Sequence, residues 1–179
     1  GDWFDQRQKR FLRGRQGTHG FVNLGTQFYE AVQATLDQGV VLHDFKAAYP
    51  SLNRSGLLII LDSLGASRGF INVVQALFVD NFTTFVIPAV SGSFTVEGPV
   101  MTSGIKQGCP MAPILFLFAM EFFFYLIDGE LDSLPYLNKS MVQLYAFADD
   151  IGFFVTDFTV LPTIVATLAR FARFTGLRT

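Results

Sequence analysis

Cysteine is almost absent from this sequence of 179 residues, in which Cys109 is the only one. A single thiol cannot form an internal disulfide bond, so a secreted fold held together by disulfides is excluded. The charged N-terminus also lacks the apolar core of a secretory signal. We therefore expect an intracellular protein, in the cytoplasm or the nucleus.

Charged residues are also scarce, at 16% of the chain, and the formal net charge is −2. This balance argues against a protein that grips nucleic acid over its whole surface. The basic residues are unevenly distributed, however, and several lie close together near the N-terminus: Arg7, Lys9, Arg10, Arg13 and Arg15. This basic cluster is either a solvated arm or a segment that contacts phosphate.

The longest apolar run, residues 111–127, is interrupted by Pro113 and Glu121. A membrane-spanning helix needs about 20 apolar residues without a central charge. A helix that is apolar on all sides is equally typical of a protein core. We favour the buried helix, and a membrane protein is the weaker alternative.

Hydrophobic periodicity and capping residues predict an irregular alternation of helices and strands. Gly39 is expected to end the first helix, and Asn53 to cap the second. The predicted helices cover residues 24–38, 53–64, 68–79, 111–127 and 160–174, and the predicted strands cover 40–45, two arms within 82–100, 143–147 and 151–155. Hairpins in place of a uniform βαβ repeat favour an α+β domain with an antiparallel sheet flanked by helices.

Two adjacent acids, Asp149 and Asp150, lie between two apolar strands at a tight turn. Like charges this close raise each other's pKa and destabilise a folded site unless a cation compensates them. Mg²⁺ would do so, because it favours carboxylate and phosphate oxygens. An isolated pair of aspartates is also common in turns, where the side chains accept hydrogen bonds from nearby backbone amides.

A third acid, Asp44, ends the apolar strand and shares a face with Val40 and Leu42, since side chains alternate along a strand. Lys46 lies on the same alternation and could be its salt-bridge partner. If this strand lies beside the hairpin, Asp44 instead faces Asp149 across the sheet. Three carboxylates could then bind two Mg²⁺ ions about 4 Å apart, the arrangement used for phosphoryl transfer.

Three ordered sequence blocks resemble the reverse transcriptases of non-LTR retrotransposons. They are HDFKAAYPSL (residues 43–52), GIKQGCPMAPILF (residues 104–116) and FADDIGFF (residues 147–154). An isolated Asp-Asp pair is weak evidence, whereas three blocks in the right order are strong. The segment FLRGRQGTHGFVNL near the N-terminus loosely resembles the fingers region of the same family.

The resemblance implies a palm-like antiparallel sheet flanked by helices. Residues 1–39 would form a partial fingers region and residues 40–179 the palm core, with no thumb. It also implies an RNA-directed DNA polymerase that transfers deoxynucleotides onto the 3′-hydroxyl of a DNA primer paired with an RNA template. Two Mg²⁺ or Mn²⁺ ions would be its cofactors.

The same resemblance assigns roles to the acids and to one aromatic residue. Asp44 and Asp149 would be direct metal ligands, and Asp150 a third acid that binds or orients a metal. Tyr49 would sit beneath the sugar of the incoming nucleotide and exclude a 2′-hydroxyl. The alternative for Tyr49 is an ordinary half-buried packing residue.

The second block implies further contacts with the nucleotide and the nucleic acid. Gln107 and Gly108 would lie against the nascent base pair, with glycine allowing close approach of the backbone. Lys106 either contacts phosphate or is solvated. Arg13 and Arg15 are further candidates for nucleic-acid contacts.

The sequence departs from the family pattern in several places. Ala112 stands where serine is common, and Pro50 where aspartate is common. No residues before Thr179 resemble the thumb or the primer-gripping hairpin, so we expect the chain to be part of a longer polyprotein or a decayed copy. An RNA-dependent RNA polymerase fits less well, because Tyr49 resembles a deoxyribose gate and Ala148 precedes the paired acids. A nucleic-acid-binding or scaffold domain without catalysis is the alternative from a different class.

Overall fold

The computed structural model describes residues 3–15, 17–34, 37–79, 82–133 and 141–178. The helices are α1 (Gly17–Gln33), α2 (Ala48–Ser51), α3 (Arg54–Ser63), α4 (Arg68–Ala76), α5 (Ala112–Ser133) and α6 (Leu161–Thr175). The strands are β1 (Gly39–Asp44), β2 (Phe82–Ala89), β3 (Gly92–Val100), β4 (Val142–Phe147) and β5 (Asp150–Val155). The predicted α+β class is confirmed.

The central element is a three-stranded antiparallel sheet in the order β1-β5-β4. Strands β4 and β5 are joined by a short turn, whereas β1 reaches the far edge of β5 from much earlier in the chain. Strands β2 and β3 form a separate two-stranded hairpin. Its side chains are mostly exposed, including several large apolar ones.

One face of the three-stranded sheet packs on α5 and α6 through phenylalanine side chains. The ring of Phe123 on α5 contacts Phe153 on β5, with centroids 6.3 Å apart, and Phe171 on α6, with centroids 5.3 Å apart. All three side chains are completely buried. Burial of large aromatic side chains contributes much of the hydrophobic stabilisation of a core. Several of the 21 phenylalanines of the chain therefore belong to this core.

The opposite face of the sheet is covered by α1. Leu24 on α1 packs against Phe154 and Val40 in a second, smaller core cluster. Gly152 allows this close approach, because a Cβ atom placed there would lie 2.3 Å from the Leu24 side chain. Asp44 shares this face of β1 with Val40, as predicted, since alternate residues of a strand point to the same side.

Local capping residues place the middle helices where the sequence predicts them. The Asn53 side chain accepts hydrogen bonds from the amides of Ser55 and Gly56, at 3.0 and 3.3 Å, and caps α3. The Ser67 hydroxyl accepts one from the amide of Phe70, at 3.2 Å, and caps α4. These contacts satisfy amides that have no partner within the helix. Helix α3 agrees with the predicted residues 53–64 to within one residue at each end, whereas α4 ends at Ala76, three residues before its predicted end.

Gly39 does not end a helix, contrary to the prediction. Helix α1 begins at Gly17 and ends at Gln33, and Gly39 is the first residue of β1. The physical reason for glycine here is close packing, because a Cβ atom at Gly39 would lie 2.8 Å from the ring of Phe158. The glycine therefore permits a tertiary contact and is not a helix cap.

The apolar run is confirmed as a buried helix. Helix α5 begins at Ala112 and continues beyond the predicted end at residue 127 to Ser133. Most of its apolar side chains lie in the main core cluster, which spans α3, α6 and the sheet. Across the described ranges, none of the helices combines the length and apolar character needed to span a bilayer.

The N-terminal arm (residues 4–10) lies against the outer edge of β4. The amide of Lys9 donates to the carbonyl of Ala146 at 2.9 Å, and the amide of Ala146 donates to the carbonyl of Arg7 at 3.0 Å. The sequence predicts loop or short extended pieces through Gly20. The short parallel bridge between Gln8 and Ala146 agrees with that, but residues 17–20 already belong to α1. The proposed division into residues 1–39 and 40–179 stays a prediction.

Candidate active site

Three acidic side chains lie at one end of the three-stranded sheet. Asp44, the last residue of β1, stands directly opposite Asp150, the first residue of β5. Asp149 and Ala148 form the turn between β4 and β5. The turn is tight because Phe147 and Asp150 still pair with each other across the hairpin. The fold therefore brings together the three acids selected from the sequence.

The strand register corrects one detail of the prediction. Asp44 was expected to face Asp149, but its partner across the ladder is Asp150. Asp149 lies in the turn, beyond the last pair of β4 and β5. No salt bridge joins Lys46 to Asp44 in the part of the chain that the structure describes. Asp44 is therefore an exposed acid whose partner across the strand ladder is another acid.

The acids repel one another, and the effect is visible at Asp150. Partial desolvation of its carboxyl group, reinforced by the negative charges of Asp149 and Asp44, raises the pKa of Asp150 above its ordinary value. The positive charge of Arg10 opposes this rise in pKa. A bound cation would relieve the repulsion, since an opposite charge favours the ionised carboxylate.

Arg10 is a residue of the site that the sequence did not single out. Its guanidinium lies over the ring of Phe147, 4.6 Å from the ring centroid. The positive charge of Arg10 also acts to lower the pKa values of Tyr49 and Asp150, opposing the burial and the acidic neighbours that raise them. The only signal in the sequence is the basic cluster, in which nothing distinguishes Arg10 from its neighbours. The packing of the N-terminal arm on β4 brings this particular residue to the acids.

An open pocket borders Asp44 and Asp150 on the side of the sheet that α1 covers. Its lining includes Asp44 and Asp150 from the sheet and Thr18 and Phe21 from α1. Phe147, the ring beneath Arg10, also lines it. The carboxylates are therefore accessible from a concave surface, as a binding site for a small molecule requires.

Tyr49 connects the first block to the second. Its ring stacks on Phe116 of α5, with centroids 5.1 Å apart and an angle of 26° between the planes. The side chain is half-buried. Burial, together with the negative charge of Asp149, raises the pKa of the Tyr49 hydroxyl, so this group lies within electrostatic range of the acids.

The loop that begins the second block is held against α2 and α3. The amide of Ile105 donates to the carbonyl of Tyr49, and the amide of Gly104 donates to the carbonyl of Leu52, both at 2.9 Å. The guanidinium of Arg54 donates to the carbonyls of Met101, Ser103 and Gly104. These bonds fix the start of the loop relative to Tyr49.

Gln107 and Gly108 occupy the exposed part of the same loop. The amide of Cys109 donates to the carbonyl of Lys106 at 3.1 Å and closes a turn with these two residues at its centre. Gly108 has a positive φ of 86° and no atom near the position of a Cβ. The turn leaves Gln107 and Gly108 open to a ligand.

The sequence of almost the whole chain, residues 3–179, matches the family described as reverse transcriptase (RNA-dependent DNA polymerase). The chain belongs to the reverse transcriptase family. The predicted family is thereby confirmed, and so is its enzyme class as a nucleotidyltransferase by relationship.

Curated relatives of this reverse transcriptase chain come from R2 retrotransposable elements. It is 26% identical to a retrovirus-related Pol polyprotein from a type-1 R2 element of Popillia japonica, over 77% of this chain and 19% of the relative. It is also 26% identical to the Pol polyprotein of the type-2 element R2DM of Drosophila melanogaster, over 75% of this chain and 12% of the relative. The chain thus spans less than a fifth of the length of these polyproteins.

Solved structures with the same fold include telomerases of two yeasts. A Candida tropicalis telomerase, solved in complex with a TWJ fragment of telomeric RNA, superposes with a TM-score of 0.64 over 91% of this chain and 28% of the telomerase, at 12% identity. A Candida albicans telomerase gives a TM-score of 0.58 over 97% of this chain and 30% of the telomerase, at 10% identity. These similarities confirm the fold of a reverse transcriptase domain.

The basic candidates of this reverse transcriptase differ in how they are used. Arg15 donates to the carbonyls of Phe4, Asp5 and Gln8, so its guanidinium is occupied within the N-terminal segment. Arg13 and Lys106 are exposed. A contact with nucleic acid stays a prediction for all three residues, of which Arg15 is the one engaged within the chain.

The three acids have the oxygen donors that a divalent metal ion prefers, but their side chains do not surround one common position. Among the residues that the structure describes, no three His, Cys, Asp or Glu side chains are close enough to hold one ion. Mg²⁺ in nucleotide-binding enzymes is usually held by one or two carboxylates, with water and substrate phosphates supplying the other oxygens. The pair of Asp44 and Asp150, with Asp149 adjacent, fits that open arrangement.

Proposed function

We propose that this chain is the catalytic core of an RNA-directed DNA polymerase, which adds deoxynucleotides to the 3′-hydroxyl of a DNA primer on an RNA template. The observation that carries the proposal is the meeting of Asp44, Asp149 and Asp150 at one end of the sheet. These acids come from two of the blocks that define the resemblance. Family membership supports the reaction class.

Asp44, Asp149 and Asp150 would hold two Mg²⁺ or Mn²⁺ ions. Their donor oxygens match the preference of these ions. Desolvation, together with the negative charges of Asp149 and Asp44, raises the pKa of Asp150, and a bound cation would favour its ionised form. When bound, such ions activate the attacking 3′-hydroxyl and stabilise the leaving pyrophosphate. The chain itself contributes the spacing of the acids, which the pairing of β1 with β5 determines.

Tyr49, Gln107 and Gly108 would form the nucleotide side of the site. Tyr49 is near Asp149 and is held by its stacking on Phe116. The turn of Gln107 and Gly108 follows directly from the loop bonded to Tyr49, which supports contact between this turn and the nascent base pair.

An RNA template and a DNA primer are the proposed partners. The relatives are polyproteins of retrotransposable elements, and one solved neighbour is a telomerase in complex with a fragment of telomeric RNA. Arg13 and Lys106 are exposed cations that would contact the backbone. Such contacts weaken as salt concentration rises, because binding releases counterions.

Primer extension on an RNA template tests the proposal in the full polyprotein that contains this chain. Asp149→Asn should lower the rate at least about a hundredfold, since each ~1.4 kcal/mol of lost transition-state stabilisation is tenfold in rate. Asp62→Asn is the matched control, because Asp62 is an exposed acid on α3. Synthesis by Asp149→Asn within tenfold of the unchanged protein contradicts the metal mechanism.

A nucleic-acid-binding or scaffold role without catalysis is the competing function. One observation favours it, namely that the described residues contain no ready group of three metal ligands. The same experiment separates the two functions. Binding of primer and template with no synthesis by the unchanged polyprotein, and no response to Asp149→Asn, would support the scaffold role.

A further inference from the structure

Gln8 of the N-terminal arm is completely buried beside the turn that carries Asp149. Its Oε1 atom accepts a hydrogen bond from the amide of Ala148 at 3.2 Å and another from the amide of Arg10 at 3.1 Å. Gln8 and Ala148 are 140 positions apart in the chain. The Oε1 atom of Gln8 therefore links the N-terminal arm and the backbone of Arg10 to the turn that carries Asp149.

The turn needs an external partner because its backbone is strained. Ala148 has a positive φ of 59°, a left-handed conformation that costs a residue with a Cβ atom about 1–2 kcal/mol. Ala148 is also buried, so water does not readily replace a lost partner of its amide. The bond from this amide to Gln8 compensates for both effects and holds the residue immediately before Asp149.

Space filling alone does not account for glutamine at this position. The Nε2 atom of Gln8 is buried and has no hydrogen-bond partner in the described part of the chain. An unsatisfied buried donor costs about 1–3 kcal/mol, a cost that an apolar side chain of similar length would avoid. The glutamine is thus explained by its oxygen, which serves the amides of Ala148 and Arg10.

We propose that Gln8 is a positioning residue that fixes the Ala148–Asp149 turn and so directs the Asp149 carboxylate toward the site. The consequence for metal binding rests on the proposed function, whereas the hold on the turn does not. The arm is itself anchored on α5, since Arg7 pairs with Asp128 at 2.8 Å. Gln8 therefore transmits the position of a fixed arm to the turn.

Amide hydrogen exchange in the full 179-residue chain tests the hold directly. In Gln8→Met, which keeps the length but removes the acceptor, the Ala148 amide should exchange at least about fivefold faster, as the loss of one hydrogen bond implies. Amides of β5, such as that of Phe153, should keep their protection. Gln143→Met is the control, because Gln143 lies on β4 and bonds to Gln27 of α1 instead.

Mn²⁺ affinity supplies a readout that a merely structural role would not change. With the fold intact, Gln8→Met should bind Mn²⁺ roughly threefold to tenfold more weakly, and Gln143→Met should bind it normally. If Gln8→Met does not fold, Gln8→Asn, whose amide is one methylene too short, replaces it with the same expectations.

The outcomes separate the two proposals. Unchanged exchange at Ala148, or equal Mn²⁺ affinity in Gln8→Met and in the unchanged chain, overturns the positioning role. If the unchanged chain binds no Mn²⁺, the metal mechanism fails, and exchange at Ala148 alone decides whether Gln8 holds the turn.

Discussion

The ring of Tyr49 stacks on the ring of Phe116, with centroids 5.1 Å apart. Tyr49 belongs to the first sequence block and Phe116 is the last residue of the second, so the contact joins two segments far apart in the chain. Stacked rings are held more rigidly than an isolated exposed ring. If Tyr49 lies beneath the sugar of the incoming nucleotide, as proposed, its ring would reject a ribonucleotide by steric clash.

Replacement of Tyr49 by alanine should therefore relax sugar selection. In primer extension, we expect the preference of Tyr49→Ala for deoxynucleotides over ribonucleotides to fall at least about tenfold, or ~1.4 kcal/mol. Tyr125→Ala is the control, because Tyr125 is an exposed tyrosine on α5. An unchanged preference in Tyr49→Ala would make Tyr49 a packing residue.

The charge of Asp44 should be detectable at Asp150. Because repulsion from Asp44 contributes to the raised pKa of Asp150, Asp44→Asn should lower that pKa, as measured by NMR titration of the carboxyl group. A raised pKa in the folded state means that stability is lost as pH rises through it, so Asp44→Asn should also reduce this loss. Asp62→Asn should leave the titration of Asp150 unchanged. A pKa of Asp150 that does not respond to Asp44→Asn would show that the two acids are electrostatically independent.

Glu121 on α5 should make stability depend on pH near neutrality. Burial raises the pKa of its carboxyl group from the ordinary value of 4.5 to about 7, although the amide of Asp5 donates to both of its oxygens. The folded state therefore holds this proton more tightly than the unfolded state does. The free energy of unfolding should fall as pH rises through this interval.

Denaturant unfolding at a series of pH values tests the assignment to Glu121. Glu121→Gln keeps an acceptor for the amide of Asp5 and should remove most of the decrease between about pH 5 and pH 8. Glu97→Gln, at an exposed position on β3, should retain the decrease. If Glu121→Gln retains the full decrease, another group is responsible.

Substitutions at two glycines of the second block distinguish the energetic cost of backbone strain from that of steric clash. Gly104 and Gly108 both have positive φ, at 73° and 86°, but only Gly104 is crowded, since a Cβ atom there would lie 2.4 Å from the carbonyl oxygen of Pro50. Gly108→Ala should cost about 1–2 kcal/mol of stability, from the backbone conformation alone. Gly104→Ala should cost clearly more, because the loop must also move away from Pro50. Equal losses in thermal unfolding would contradict the close contact.

Local signals allowed much of the fold to be predicted. The cap at Asn53 is satisfied by amides within three residues, so a short motif is sufficient to place the start of α3. The turn at Asp149 follows from two apolar runs separated by a few residues. Gly39 misled the prediction because the same residue type serves as a helix cap and as a site of close packing, and only the position of Phe158 distinguishes the two.

The sequence by itself predicted Asp44, Asp149 and Asp150 as the candidate acids, because they lie at or beside the ends of apolar strands within recognisable blocks. Only the tertiary structure decided that Asp44 lies opposite Asp150, since the register of β1 on β5 depends on packing between distant segments. It alone also brought Gln8 to Ala148 and Arg10 to Phe147. A local sequence pattern predicts the conformation of its own residues. These contacts instead depend on the packing of the N-terminal arm against the edge of β4. No short-range pattern in the sequence indicates that packing.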